Sequence, residues 1–138
     1  EWLEETHPEP AMLPRDPAAR ARVRQLAEIV NSGIQPLQNL AVQQHVKTFG
    51  VDGSTWAAHW IVRGLDALES LAKQSAGRFL VGDQVTFADA CLIPQLYAAR
   101  RVHVNLEPYP TLLRVEAECA ALEAFRKAHA DVQPDAAR

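Results

Sequence analysis

The sequence predicts an all-α domain, and three observations carry that prediction. Apolar residues recur at three- and four-residue spacing along most of the chain, helix-start signals precede these runs, and no segment alternates convincingly as a strand. With 138 residues, 48% of them hydrophobic and 22% charged, the chain is long and apolar enough for one packed core. A net charge of −3 leaves no basic field for a polyanion, so no nucleic-acid partner is expected. No apolar run approaches the roughly 18–20 residues of a membrane span, and no charged-then-apolar leader is present. The expected location is cytoplasmic, away from membranes.

Glu1 to Thr6 reads as helix, but nothing precedes it to cap it and no initiator Met is present, so the chain is expected to begin inside a helix cut from a larger protein. Pro8, Pro10, Pro14 and Pro17 then forbid regular structure, because each removes a donor and restricts the residue before it. Residues 1–16 are expected to be a helix end plus an interdomain linker, and residues 17–138 the helical domain. Asp16-Pro17 is a strong start signal, an N-cap acceptor with proline where its missing N–H costs nothing. The stripe Val23, Leu26, Ala27, Val30, Ile34, Leu37, Leu40, Ala41 predicts one long helix to roughly His45. Pro36 predicts a kink near Asn31 to Gly33, where Gly33 would allow close packing and the helix would bend rather than stop.

Gly50, Asp52 and Gly53 break the chain, and Ser54 is the expected cap of a helix carrying Trp56, Trp60, Val62, Leu65, Leu68 and Leu71 to about Ser75. Gly77 and Gly82 bracket a short apolar loop that should tuck against the core. Thr86-Phe87-Ala88-Asp89 fits a capping box with Asp in place of the usual Glu or Gln, which implies a tighter geometry. It opens a helix from Phe87 to about Val102 with Pro94 inside and Cys91, Leu92, Leu96 and Tyr97 on apolar positions. Two short helices should follow, around Thr111–Ala120 and Leu122–Ala130, before a polar tail ending at Arg138.

The chemistry-bearing residues exclude several classes. Cys91 and Cys119 sit far apart within apolar patterns and read as reduced core thiols. The five histidines include no pair at metal-ligating helical spacing, so no metal is expected, and there is no GxSxG, Cys/His pairing or Gly-rich phosphate loop.

The order of features resembles the C-terminal helical domain of glutathione transferases. Gly33-Ile34-Gln35-Pro36-Leu37-Gln38-Asn39-Leu40, Gly82-Asp83-Gln84-Val85-Thr86-Phe87-Ala88-Asp89 and Pro108-Tyr109-Pro110-Thr111 narrow the resemblance to the zeta class. So do Trp2-Leu3-Glu4-Glu5-Thr6 at the start and Leu122-Glu123-Ala124-Phe125 and Gln133-Pro134-Asp135 near the finish, so that nearly all of the chain is covered. The Thr-x-x-Asp box is shared across the superfamily and serves folding; the run from Gly33 to Leu40 is far more specific. The resemblance implies an all-α half of a two-domain, homodimeric enzyme. Its thioredoxin-like N-terminal domain, absent here, binds glutathione and supplies the catalytic loop, so no catalytic residue is expected in this chain. Glutathione would add to the cis double bond of maleylacetoacetate, rotation would follow, and elimination would leave fumarylacetoacetate, a step in tyrosine and phenylalanine breakdown.

Four apart, Gln35 and Asn39 would project together from one helix face, which spacing alone reads as an ordinary solvated face. In the family, residues matching Gln35, Asn39, Leu40 and Ala41 line the glutathione side of the cleft. Ala41 departs from close relatives, which carry serine, so only its backbone could contribute. Arg100 and Arg101 both complement the end of a helix dipole by default. The residue aligned with Arg101 is the family's candidate for a substrate carboxylate, a contact that suits a guanidinium. Arg20, Arg22 and Arg24 read as a solvated face, and Trp56, Trp60, Phe79 and Phe125 as core. Tyr97 could face core or cleft, and His59 and His103 have no evident role. The alternatives are maleylpyruvate isomerisation on the same scaffold, where His and Asn tend to replace Gln35 and Gln38, another zeta-like transferase activity such as on small halogenated acids, a non-catalytic interaction scaffold, and a free helical ligand-binding domain.

Overall fold

The computed structural model describes residues 1–136, so the last part of the expected polar tail lies outside the described residues. Helix α1 (Trp2–Thr6) buries none of its side chains. The Pro-rich stretch after it has no regular structure, yet it is pinned to the bundle. Glu4 accepts from the N–H groups of Met12 at 2.8 Å and Leu13 at 3.1 Å, Phe87 N–H donates to the Met12 carbonyl at 2.9 Å, and Leu13 is buried. The arginines of the next helix extend this anchoring at the surface, with Arg20 Nε donating to the Pro14 carbonyl at 3.0 Å and Arg24 paired with Glu1 at 2.6 Å.

Helix α2 (Pro17–Glu28) starts as its sequence requires, with Asp16 accepting from Ala19 N–H at 2.7 Å, and it buries Val23, Leu26 and Ala27. From Ile29 to Ile34 the winding widens to a π-helical turn. The expected kink is this π turn, which makes room for the ring of Pro36 by giving up the tight i→i−4 ladder. The expectation that the helix bends without stopping is not met. Helix α3 (Gln35–Gln38) ends at Asn39, whose φ of −54° and ψ of 142° leave helical space, and helix α4 (Leu40–Lys47) begins anew. Asparagine favours this outcome because its side chain offers the backbone an alternative partner. Gly33 does not mediate close packing either, since a Cβ there would meet open space. The close approach occurs at Gly64, where a Cβ would overlap the side chain of Ile34 and push the two helices apart.

Helix α5 (Gly53–Ser75) is capped by Asp52 rather than Ser54. Asp52 Oδ1 accepts from Thr55 N–H at 2.8 Å, and the Ser54 hydroxyl donates to the same oxygen at 2.6 Å. A carboxylate accepts more donors than a hydroxyl in the first turn, so the aspartate takes the capping position. Ala57, Ile61, Leu65, Leu68 and Ala72 form the buried stripe of α5, which packs on α2, the π turn, α3 and α4. The glycine-bracketed loop then returns to the core with Phe79 and Leu80 buried, and Gly82 takes a φ of +70° that suits glycine.

Helix α6 (Phe87–Arg101) packs against α2 and the π turn, with Leu92, Leu96 and Ala99 fully buried. Its capping box is present, and the Asp89 carboxylate does more than close it. Oδ2 accepts from Thr86 N–H and from the Thr86 hydroxyl, both at 2.8 Å, while Oδ1 accepts from Leu80 N–H at 2.9 Å. One buried carboxylate therefore ties the loop to the helix start, and its burial raises its pKa against the opposing pull of these hydrogen bonds. Helix α7 (Pro110–Ala120) packs on α5 and α6 and has no cap of its own. Buried Glu69 of α5 supplies it across the core, accepting from Thr111 N–H at 3.1 Å and Leu112 N–H at 3.1 Å. Helix α8 (Glu123–Ala128) and a 3₁₀ turn, Ala130–Val132, close the described chain. Among the described residues the only strand pairing is an isolated bridge between Ala76 and Gly82, and no helix is long and apolar enough to cross a membrane.

Candidate functional site

The break at Asn39 gathers four of the five sequence-predicted site residues at one junction. Asn39 Oδ1 accepts from Ala41 N–H at 2.9 Å and so N-caps α4. This uses the one group through which Ala41 was expected to reach a ligand as a donor. The Asn39 side-chain NH₂ remains directed away from that cap, and Asn39, Leu40 and Ala41 are all exposed, Leu40 to 66%. Gln35 does not share a helix face with Asn39, because the helix ends between them. Its Nε2 instead donates to Gln95 Oε1 at 3.0 Å.

Gln95 is the residue that reading the sequence missed. It lies on the buried face of α6 with no exposed surface, and all its side-chain hydrogen bonds run to α3. Its Oε1 accepts from both Gln35 and Gln38 at 3.0 Å, and its Nε2 returns a bond to Gln38 Oε1 at 3.0 Å. A signal existed. Leu92, Gln95, Leu96 and Ala99 share one helical stripe, and an amide on an otherwise apolar stripe demands buried partners. Two further contacts fix the same segment: Trp56 Nε1 donates to the Leu37 carbonyl at 2.9 Å, and Gln43 Nε2 to the Gln38 carbonyl at 2.7 Å.

Arg101, the fifth predicted residue, is exposed at the end of α6, and no ion pair or side-chain hydrogen bond engages it among the described residues. It stands about 9 Å along the helix from Gln95 and about a third of a turn round from it, so no contact joins it to the junction. Its neighbour is committed elsewhere: Arg100 makes a two-pronged pair with Glu116 at 2.6 and 2.5 Å, a bond that raises its pKa. The two adjacent guanidiniums thus differ in availability. Tyr97, one turn before Arg101, is half-buried; its hydroxyl donates to Asp131 at 2.7 Å and its ring meets His129 edge-on. The thiols of Cys91 and Cys119 are free, and burial raises both, Cys119 to about 12, which suits packing rather than nucleophilic attack.

The described residues form eight α-helices, with α6 capped at Thr86 and α4 at the exposed Asn39. The family model of the glutathione S-transferase C-terminal domain matches residues 54–130, and the chain belongs to that family. Within it, the chain is 49% identical over 135 residues to a probable maleylacetoacetate isomerase of Drosophila melanogaster, covering 97% of this chain and 54% of the relative. It is 46% identical over 143 residues to a maleylpyruvate isomerase of Ralstonia sp., covering 99% and 68%. Among solved structures it superposes with a TM-score of 0.95 on a maleylacetoacetate isomerase of Anaeromyxobacter dehalogenans with dicarboxyethyl glutathione and citrate bound in the active site. The two are 56% identical, over 99% of this chain and 62% of that one. The chain therefore spans little more than half the length of the first of these relatives.

Proposed function

We propose that this chain is the helical half of a glutathione-dependent isomerase that converts maleylacetoacetate to fumarylacetoacetate in aromatic amino-acid breakdown. The observation that carries the reading is the tethered, exposed junction at Asn39–Ala41 together with an Arg101 that no side chain engages among the described residues. The junction suits glutathione on its own chemistry. From Ile29 to Val51 there is no Asp or Glu, while amides, an exposed leucine and a helix start face outward, so a peptide with two carboxylates meets no repulsion there. Asn39 would hold glutathione through its free amide N–H, with Leu40 and Ala41 as contact surface and the Gln35 side chain beside them. When bound, glutathione supplies the thiol that adds reversibly to the cis double bond. Arg101 would hold one end of the diketo dicarboxylate, and a fixed end lets the middle rotate.

A preceding thioredoxin-like domain completes this reading, with residues 1–16 as the connection to it. Trp2 and Leu3 of α1 are 69% and 65% exposed and Phe87 is 41% exposed, an apolar surface suited to such a domain. The working enzyme is read as a homodimer in the cytoplasm, where two unpaired cysteines stay reduced. Maleylpyruvate is the second substrate reading, favoured by the similarity to the Ralstonia enzyme; Gln35 and Gln38 lean toward maleylacetoacetate.

The test is turnover of both compounds by the full-length gene product, with and without glutathione. Glutathione-dependent isomerisation of maleylacetoacetate in preference to maleylpyruvate is expected. The opposite preference replaces the substrate, and no turnover of either, together with no retention on immobilised glutathione, overturns the enzyme reading in favour of a scaffold.

A further inference from the structure

Three glutamines, Gln95 buried, Gln38 half-buried and Gln35 exposed, bridge α6 to the segment that ends at Asn39, with hydrogen bonds running in both directions. We infer that Gln95 is a positioning residue for glutathione, holding Gln35 and Gln38 so that the Asn39 break falls where the ligand can use it; this rests on the functional reading above. Gln95 cannot touch a ligand in solvent, because it has no exposed surface. It acts through its partners, accepting from both Gln35 and Gln38 and donating back to Gln38.

The local backbone explains why such a device is required. α3 is four residues long, lies between a π turn and a break, and contains Pro36, so its own hydrogen-bond ladder cannot fix it. Its position is set from outside by three tethers: the Gln95 cluster, the Trp56 indole on the Leu37 carbonyl and the Gln43 amide on the Gln38 carbonyl. The Gln38 carbonyl precedes Asn39 directly. A shift of Gln38 is therefore passed to the dihedral angles that let Asn39 cap α4, and through them to the exposed strip Asn39–Ala41. The Gln95 cluster also orients Gln35: with one N–H turned inward to Gln95, its Oε1 and its second N–H are what remain for a ligand. A purely apolar α6 stripe would pack as well and would leave both partner amides undirected.

The experiment measures steady-state kinetics and glutathione binding for the full-length protein carrying Gln95→Met, which keeps the volume and removes both amide functions. A rise of about tenfold or more in KM for glutathione is expected, with kcat at saturating glutathione within about twofold. Gln95→Glu keeps the acceptor for Gln35 and Gln38 at the expense of a buried charge. It is expected to bring KM back to within about threefold of wild type while melting earlier than Gln95→Met, which separates ligand positioning from stability. Should Gln95→Met fail to fold, Gln38→Met removes two of the three bonds of the bridge from its half-buried side, and a KM shift in the same direction is expected. Folded variants whose glutathione KM stays within about twofold of wild type overturn the inference and leave the functional reading intact. A wild-type protein that shows no binding of glutathione in calorimetry overturns the functional reading itself, and this inference with it.

Discussion

Two helix starts in this chain look alike on paper and behave differently. At α6, Thr86 and Asp89 are buried, and the Asp89 carboxylate is consumed by Thr86 and Leu80. At α4, Asn39 caps with one oxygen and leaves its NH₂ at an exposed surface, while the rigidity of the turn comes from glutamines beneath it. A cap whose polar groups are all satisfied inside the core can only serve the fold. A cap held from behind, with groups left over at the surface, is available to a ligand. The same division separates Arg100, closed on Glu116, from Arg101, which no partner holds among the described residues.

The largest test of this contrast is Asp89→Ala. It leaves Thr86 N–H, the Thr86 hydroxyl and Leu80 N–H without an acceptor in the core, and a loss of about 3–5 kcal/mol in denaturant unfolding is expected. A loss under about 1 kcal/mol would show that this cap is not the fold's anchor. Asn39 sharpens the contrast from the other side. Asn39→Ala should cost about 1 kcal/mol of stability and Asn39→Gly only a few tenths, as N-caps do. Both should weaken glutathione binding equally, because both remove the free amide. Recovery of binding in the glycine variant would reduce Asn39 to a cap. The smallest effect concerns Asp52, whose carboxyl is held down from 3.8 to about 2, first by the Ser54 hydroxyl and then by Thr55. A depressed folded-state pKa contributes stability that is complete above the ordinary value, near pH 4, and is lost as pH falls through about 2. A carboxyl chemical-shift titration should therefore show a midpoint near 2; a midpoint near 3.8 would mean that the capping bonds do not form in solution.

Where the sequence could be read, local chemistry sufficed. Asp16-Pro17 and Thr86-x-x-Asp89 announce their helices because the partners lie within a turn, and the Phe79–Leu80 loop is buried as its composition requires. The misreadings arise where the deciding partner is distant. Glu69 caps α7 from forty-odd residues away, Gln95 holds Gln35 and Gln38 from another helix, and Gly64 rather than Gly33 makes the close contact because Ile34 happens to face it. The stop at Asn39 was legible in principle, since asparagine is a preferred N-cap, but an unbroken apolar stripe outvoted it. Of the expected site residues, Asn39, Leu40 and Ala41 adjoin at the exposed break, Gln35 turns to Gln95, and Arg101 has no side-chain partner among the described residues. The periodicity argument that put Gln35 and Asn39 on one face failed with the helix that carried it.

The most direct measurement compares Arg101→Ala with Arg100→Ala in the full-length protein, using glutathione-dependent isomerisation of maleylacetoacetate. Loss of a carboxylate-holding guanidinium should raise KM for the dicarboxylate by about tenfold or more in Arg101→Ala, with KM for glutathione unchanged. Arg100→Ala should leave both constants near wild type and lower stability by no more than about 1 kcal/mol, as a partly exposed ion pair does. Equal kinetic effects at the two positions, or none at Arg101, would contradict the division of labour between closed and available groups on which the functional reading rests.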